Sequence, residues 1–264
     1  MDKKSRVSVK EVAEIINELI PNSTQEEWDN SGLIIGFEDR EVKRIITCLD
    51  INAAVLEEAL GKKVDMIVSH HPLIFDDIKS ISDGDSAGKM IMSLIAGGIS
   101  VYSSHTPFDK IKGGNNDVIA KNIGLTSVKT MGEAELCRKG KLKKHLSFAQ
   151  TIEAVAQGLE MSLRSIRTVG ALDKEIGMVG VCSGSGAEFM ELAKENGCDL
   201  LITGDVKYHQ AMAAEELGIC VIDAGHYHTE KFFGAAMKEK LEKRLEDDVE
   251  IIVSEKGRDP FEAL

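Results

Sequence analysis

Six of the seven histidines stand where apolar, β-branched runs come to an end. His70 and His71 follow VS in VSHHPLIF, His105 lies in SSHTPFD, His209 closes TGDVKYH, and His226 and His228 belong to DAGHYHTEK; only His145 falls elsewhere. Asp109, Asp205 and Glu230 occur in the same segments. A buried strand end does not need an imidazole for packing, and six of them would need many hydrogen-bond partners for their ring nitrogens. Metal ions would satisfy them. Histidine and carboxylate without thiolate suit zinc, iron, manganese, cobalt or nickel rather than a structural cysteine-type zinc site.

The spacing refines that reading. Neighbours in a regular strand point to opposite faces, so His70 and His71 can share one ion only if the strand has ended before them, and they suit two ions better. Pro72 supports a break, because it disfavours α conformation at His71 and supplies no N–H. His226 and Glu230 are spaced i, i+4 and fall on one helix face, where a carboxylate can bridge two ions. Asp109 follows His105 through Thr-Pro-Phe and reads as part of a loop constellation. A lone His-His pair is a weak signal, and an HxxxE face alone is more often a surface pair. Gathered at three strand ends, they point to a metal site.

The elements that must position these residues alternate between β and α period. RIITCLD, DMIVSHH, ISVYSSH, IGMVGVCSG, CDLLITGD and CVIDAGH read as strands. Helical spacing covers Val9 to Leu19, Ala53 to Leu60, Ala87 to Ala96, Asn116 to Ile123, Ala187 to Asn196, Gln210 to Leu217 and Thr229 to Leu245. A weak internal repeat is visible, since VDMIVSHH resembles CDLLITGD and GGISVYSSHTPFD resembles LGICVIDAGHYHTE. The expectation is a duplicated α/β fold, a single domain over 1–264 made of two lobes of about 1–130 and 131–264, joined between Leu125 and Leu146. Ligands of open α/β sheets bind outside the carboxyl ends of the strands, so the lobes are expected to face each other with the metal site between them.

Composition narrows the classes. With 264 residues, 43% of them hydrophobic and 29% charged, the chain can bury a sizeable core. The net charge of -12 opposes phosphate backbones and anionic membrane surfaces, making direct nucleic-acid binding an unfavourable reading. No apolar run approaches the ~20 residues of a membrane span, and MDKKSRVSVK lacks the apolar core of a secretory signal; a cytoplasmic location is expected. The five cysteines form no CxxC pair and read as reduced core thiols. RKGKLKK, Arg138 to Lys144, reads as a solvated loop. The GSG turn, Gly184 to Gly186, could hold a phosphate on its amides, although a tight turn is the simpler account.

Taken together, WDNSGLIIG (Trp28 to Gly36), SHHPLIF, SSHTPFD, GGNNDVIAKNIGL (Gly113 to Leu125), GVCSGSG, TGDVKYH and DAGHYHTEK resemble the dinuclear-metal proteins known as GTP cyclohydrolase I type 2 homologues, the Nif-three-like proteins. The resemblance runs nearly end to end. It implies metal ligands at His70, His71, Asp109, His226 and Glu230, with Glu230 shared between two ions and Asp109 a second candidate for sharing, and His105, His209 and Asp205 lining the pocket. It also implies the short form without an inserted middle domain, and a ring-shaped homohexamer. Two divalent ions would equip the protein for hydrolysis of a nucleotide or phosphate ester, with His105 or His209 moving protons. The alternative is a non-catalytic protein that binds, delivers or scaffolds metal. On this reading, elemental analysis of the metal-reconstituted protein gives close to two ions per chain, and a value of one or none contradicts the ligand set.

Overall fold

The runs that carry the histidines do become strands. The structure, a computed structural model, describes residues 6–245 and 249–262, so Met1 to Ser5 of the amino-terminal stretch lie outside the described residues. In chain order the strands are β1 (Gly32–Ile35), β2 (Arg44–Cys48), β3 (Met66–Ser69), β4 (Ser100–Ser103), β5 (Thr126–Met131), β6 (Cys137–Ser147), β7 (Arg167–Val169), β8 (Glu175–Val181), β9 (Leu200–Thr203), β10 (Cys220–Asp223) and β11 (Glu250–Val253). The helices are α1 (Val9–Leu19), α2 (Ala53–Lys62), α3 (Ser86–Gly97), α4 (Thr106–Lys110), α5 (Asn115–Asn122), α6 (Phe148–Gly158), α7 (Met190–Glu195), α8 (Tyr208–Leu217), α9 (His226–Glu230) and α10 (Phe233–Leu245). The chain divides into two units, Met1–Ile111 with Phe233–Gly257, and Lys112–Phe232 with Arg258–Leu264.

The first unit holds a five-stranded sheet in the order β1-β4-β3-β2-β11. β11, β2, β3 and β4 are parallel, and β1 closes the edge antiparallel to β4. Strands covered on both faces carry continuous apolar runs rather than alternation, and β3 and β4 are buried at every position. Ile45, Met66, Val68 and Tyr102 turn toward α1 and α10, packing with Val12, Ile16, Phe233 and Met237. Ile46, Ile67 and Val101 turn the other way, onto Val55 and Ala59 of α2 and Ile91 and Leu94 of α3. Side-chain oxygens of Ser8, Asn52 and Asp85 cap the amino termini of α1, α2 and α3.

The second unit repeats the scheme in a six-stranded sheet of order β5-β6-β8-β9-β10-β7. β8, β9 and β10 are parallel, while β6 and β7 flank them antiparallel. α5 and α6 cover one face, with Phe148 and Val155 against Val179, Leu200 and Ile222. α7 and α8 cover the other, with Met190 and Ala214 against Leu201 and Val221. The order β2-α2-β3-α3-β4 thus returns as β8-α7-β9-α8-β10, which is the internal repeat seen in the sequence.

Three local readings change. RKGKLKK is not a loop: it lies within β6, where Lys141 and Lys143 point to solvent while Arg138 and Gly140 are buried. Lysine aliphatic stems tolerate such a half-covered strand, which hid its period among charges. The helix read over Thr229 to Leu245 is broken into α9 and α10, and the one read from Ala187 begins as a 3-10 turn at Ala187–Phe189 before α7. Among the described residues, no helix is long and apolar enough to cross a membrane.

All five cysteines are buried and none forms a disulfide. Burial pushes the Cys48 thiol far up, helped by the charges of Asp50 and Glu58; burial also lifts Cys198 to about 11, against the opposing pull of Lys139. Because the thiolate is the reactive form, a thiol reagent at pH 8 is expected to titrate almost none of the native thiols and all five after unfolding, with metal content unchanged by the native treatment. Rapid native modification accompanied by metal loss would contradict this.

Candidate metal centre

β3 ends at Ser69, and the two histidines follow at once. His70 N–H donates to Cys48 O (3.1 Å) and His71 N–H to Leu49 O (3.0 Å), so the ladder with β2 runs on for two residues before Pro72. Both rings nonetheless come together, their centroids 5.1 Å apart and their planes at 43°. Proton placement is set by what the Nδ1 atoms meet. Buried His70 faces Ser104 O through Nδ1 (2.9 Å), and His71 faces Asp50 Oδ1 (2.7 Å). A ring that donates from Nδ1 offers Nε2 as its lone-pair nitrogen, the arrangement in which histidines bind metal.

His105 and Asp109 come from the segment after β4. It is not a loop, since Thr106–Lys110 forms the single turn α4, with His105 at its amino cap and Pro107 in the first turn, where a missing N–H costs nothing. Asp109 is thereby buried with its Oδ2 3.7 Å from His70 Nε2. His70, His71 and His105 offer ring nitrogens that all lie within 4.8 Å of one another, close enough for one ion to collect them. Phe108 and Phe233 wall this cluster, with ring centroids 6.3 and 5.0 Å from that of His70.

Asp29 and Asp50 were not read as site residues. Asp29 Oδ1 accepts from His105 Nδ1 (2.9 Å), and its Oδ2 accepts from Thr106 N–H (3.0 Å). Burial works to raise the Asp29 carboxyl, but the hydrogen bonds from His105 and Thr106 outweigh it and hold the group well below the usual carboxylate range. A partner 76 positions away in sequence leaves no local spacing to find. Asp50 is the more legible omission, since it directly ends the RIITCLD strand beside the one carrying His71.

In the second unit α9 opens after β10 through Gly225, whose φ of +76° makes the turn. His226 sets Nδ1 on Asp205 Oδ2 (2.7 Å) and Nε2 2.9 Å from Oε2 of buried Glu230, so the i, i+4 pair does share a face. Asp205 adopts the left-handed region at φ +55° to reach the imidazole, a conformation that aspartate accepts more readily than most residues. Gly184 backs the carboxylate at φ +63°, where a Cβ would stand 2.4 Å from Glu230 Oε1. Two amides of the glycine turn are engaged by side chains, Gly184 N–H by Thr229 and Gly186 N–H by Thr203, and the preceding Ser183 N–H donates to Asn116. The turn thus packs against the carboxylate of Glu230, as the tight-turn account expects.

The other histidines have different surroundings. His228 turns to Asp259, 3.3 Å away, and burial with the Lys231 ammonium lowers its pKa against the pull of that aspartate. His209 is exposed in the first turn of α8, edge-on to Tyr208. His145 pairs with Glu175 on the surface of β6. Replacing Glu230 by Gln keeps volume and helix propensity but removes the charge, and is expected to weaken metal binding by more than about 100-fold with circular dichroism unchanged. His228→Ala is expected to retain full metal content. The reverse pattern in elemental analysis would show that the ligand face of α9 is misassigned.

With this geometry in view, known proteins give a consistent comparison. Residues 7–260 match the family model of Duf34/NIF3 (NGG1p interacting factor 3). A Clostridium perfringens protein named GTP cyclohydrolase 1 type 2 homolog is 33% identical, over 98% of this chain and 100% of its own length. A Helicobacter pylori protein named GTP cyclohydrolase 1 type 2 is 37% identical, over 88% of this chain and 91% of its own. In fold, the chain is similar to a Bacillus cereus protein related to NIF3, with a TM-score of 0.92 at 22% identity over 99% and 100% of the two chains. A family match over nearly the full length, carrying histidine and carboxylate donors at its strand ends, makes this chain a member of the Duf34/NIF3 family.

Proposed function

We propose that this protein is a dinuclear metal-dependent hydrolase acting on a nucleotide or phosphate ester, with His70, His71, Asp109, His226 and Glu230 as the ligands of two divalent ions. Zinc, iron, manganese, cobalt and nickel all suit these donors. The observation that carries the reading is the uniform anchoring of the imidazoles: His70, His71, His105 and His226 each commit Nδ1 to an oxygen acceptor. It turns Nε2 of His70 toward buried Asp109 in the first unit and Nε2 of His226 toward buried Glu230 in the second, donor pairs that fit hard-to-borderline dications. Bound there, two ions supply the charge that acidifies a water and steadies a developing oxyanion.

The chain's own residues then divide the remaining work. His105, with Nδ1 fixed by ionised Asp29, takes or returns a proton at Nε2, and Asp29 stabilises the imidazolium that forms. His209, in the second unit, is the other proton carrier in this reading. Asp50 and Asp205 hold His71 and His226 in their ligating tautomer. The names of the Clostridium and Helicobacter relatives support a nucleotide as substrate. Five buried cysteines without a disulfide agree with a reducing cytoplasm, and the assembly in this reading is a ring-shaped homohexamer.

The test is turnover by metal-reconstituted protein on GTP and on simple phosphate esters. His105→Ala is expected to lower kcat by about 10²- to 10⁴-fold while elemental analysis still finds two ions. Two bound ions with no turnover of any of these compounds would replace the hydrolase with a metal-storing or metal-delivering protein.

A further inference from the structure

Resting on the nucleotide reading above, we propose that Trp28 and Phe75 form a stacking ledge that receives a planar heteroaromatic ring beside His105. Trp28 is the chain's single tryptophan, and it is 57% exposed; Phe75 is 45% exposed. Their ring centroids are 6.0 Å apart with the planes at 35°. Both rings meet His105 edge-on, Trp28 at 5.8 Å and 74° and Phe75 at 6.1 Å and 76°. The exposed aromatic surface therefore continues into the imidazole cluster.

The exposure is not that of a slack loop. Asp29, next to Trp28, is fixed by His105 and Thr106. Ser31 Oγ donates to Asp29 Oδ2 (3.0 Å) and accepts the His105 N–H (3.0 Å), while Ser31 N–H reaches Gln25 Oε1 (2.9 Å). Asn30 Nδ2 donates to Ile74 O (2.6 Å), tying the segment that carries Trp28 to the segment that carries Phe75. A network this dense holds two large apolar rings in water, where they add little to the stability of the chain. A rigid pair of aromatic faces at that place does what stacking platforms do: it binds π surfaces with little further ordering. Their edge contacts with His105 put a stacked ring within reach of the proposed proton carrier. An aromatic face recognises a base rather than its phosphates, so the ledge selects the ring end of the ligand.

The lone tryptophan makes the proposal directly readable. Emission of Trp28 is followed while metal-treated protein is titrated with guanosine, GTP, ribose 5-phosphate and inorganic phosphate, with metal content measured on the same sample. Guanosine and GTP are expected to quench saturably, and ribose 5-phosphate and phosphate are not. By calorimetry Trp28→Phe should bind GTP within a few-fold of the parent protein, whereas Trp28→Ala and Phe75→Ala should each weaken it about tenfold or more, at unchanged metal content. The proposal is overturned if ribose 5-phosphate quenches as well as guanosine, if both alanine variants bind GTP like the parent, or if acrylamide cannot reach the indole because a second copy of the chain covers it. Metal binding without base-dependent quenching removes the ledge alone. Base-dependent quenching without metal removes the dinuclear reading and keeps the ledge.

Discussion

A neutral imidazole has one protonated nitrogen and one lone pair, and which is which depends on what stands opposite. That constraint governs the site more than any count of histidines does. Ser104 O, Asp50, Asp29 and Asp205 each fix an Nδ1, and each must be delivered by a different piece of backbone. Two of them sit at strand ends, one follows Gly204 in the left-handed region, and one comes from the WDNSG loop. The same contact by itself does not make a site, because His145 has an identical partner arrangement with Glu175 on open surface. Within the first unit, what separates them is convergence: the ring nitrogens of His70, His71 and His105 lie within 4.8 Å of one another, and the Asp29 carboxylate is fully enclosed, whereas Glu175 is 70% exposed.

Parallel sheets make this delivery possible. Covered by helices on both faces, each central strand is an apolar rod whose polar chemistry is pushed to its carboxyl end. The helices that return to the sheet leave short connections there, and those connections hold His70, His71, His105, Asp205 and His226. Small departures from regular geometry do the final aiming. The end of β3 brings the neighbouring rings of His70 and His71 to 5.1 Å, the single turn of α4 buries Asp109, and the absence of a side chain at Gly184 makes room for Glu230.

How much of this was legible follows from the range of each interaction. The six central strands and the helices between them announced themselves through local period, as did the i, i+4 pair His226 and Glu230. β1, β5, β6, β7 and β11 did not, nor did α6: short edge strands and the lysine-rich β6 carry a weak or masked alternation. Asp29 was invisible because its contact spans the sequence between two loops. The α4 turn was misread because proline, usually a helix breaker, is harmless in a first turn.

The first unit is also discontinuous, which bears on how the protein comes into being. β11 pairs with β2, and Arg44 reaches Glu250 across a separation of 206 residues; α10 brings Phe233 against Phe108 and the ring of His70. During synthesis the amino-terminal strands therefore emerge with one sheet edge open and one face covered by α1 alone, and must wait while the whole second unit is made. Such long loop closure slows folding and prolongs exposure of apolar surface. The imidazole cluster acquires the Phe233 side of its aromatic wall only when the late helix docks, so the order of chain growth itself delays completion of that wall.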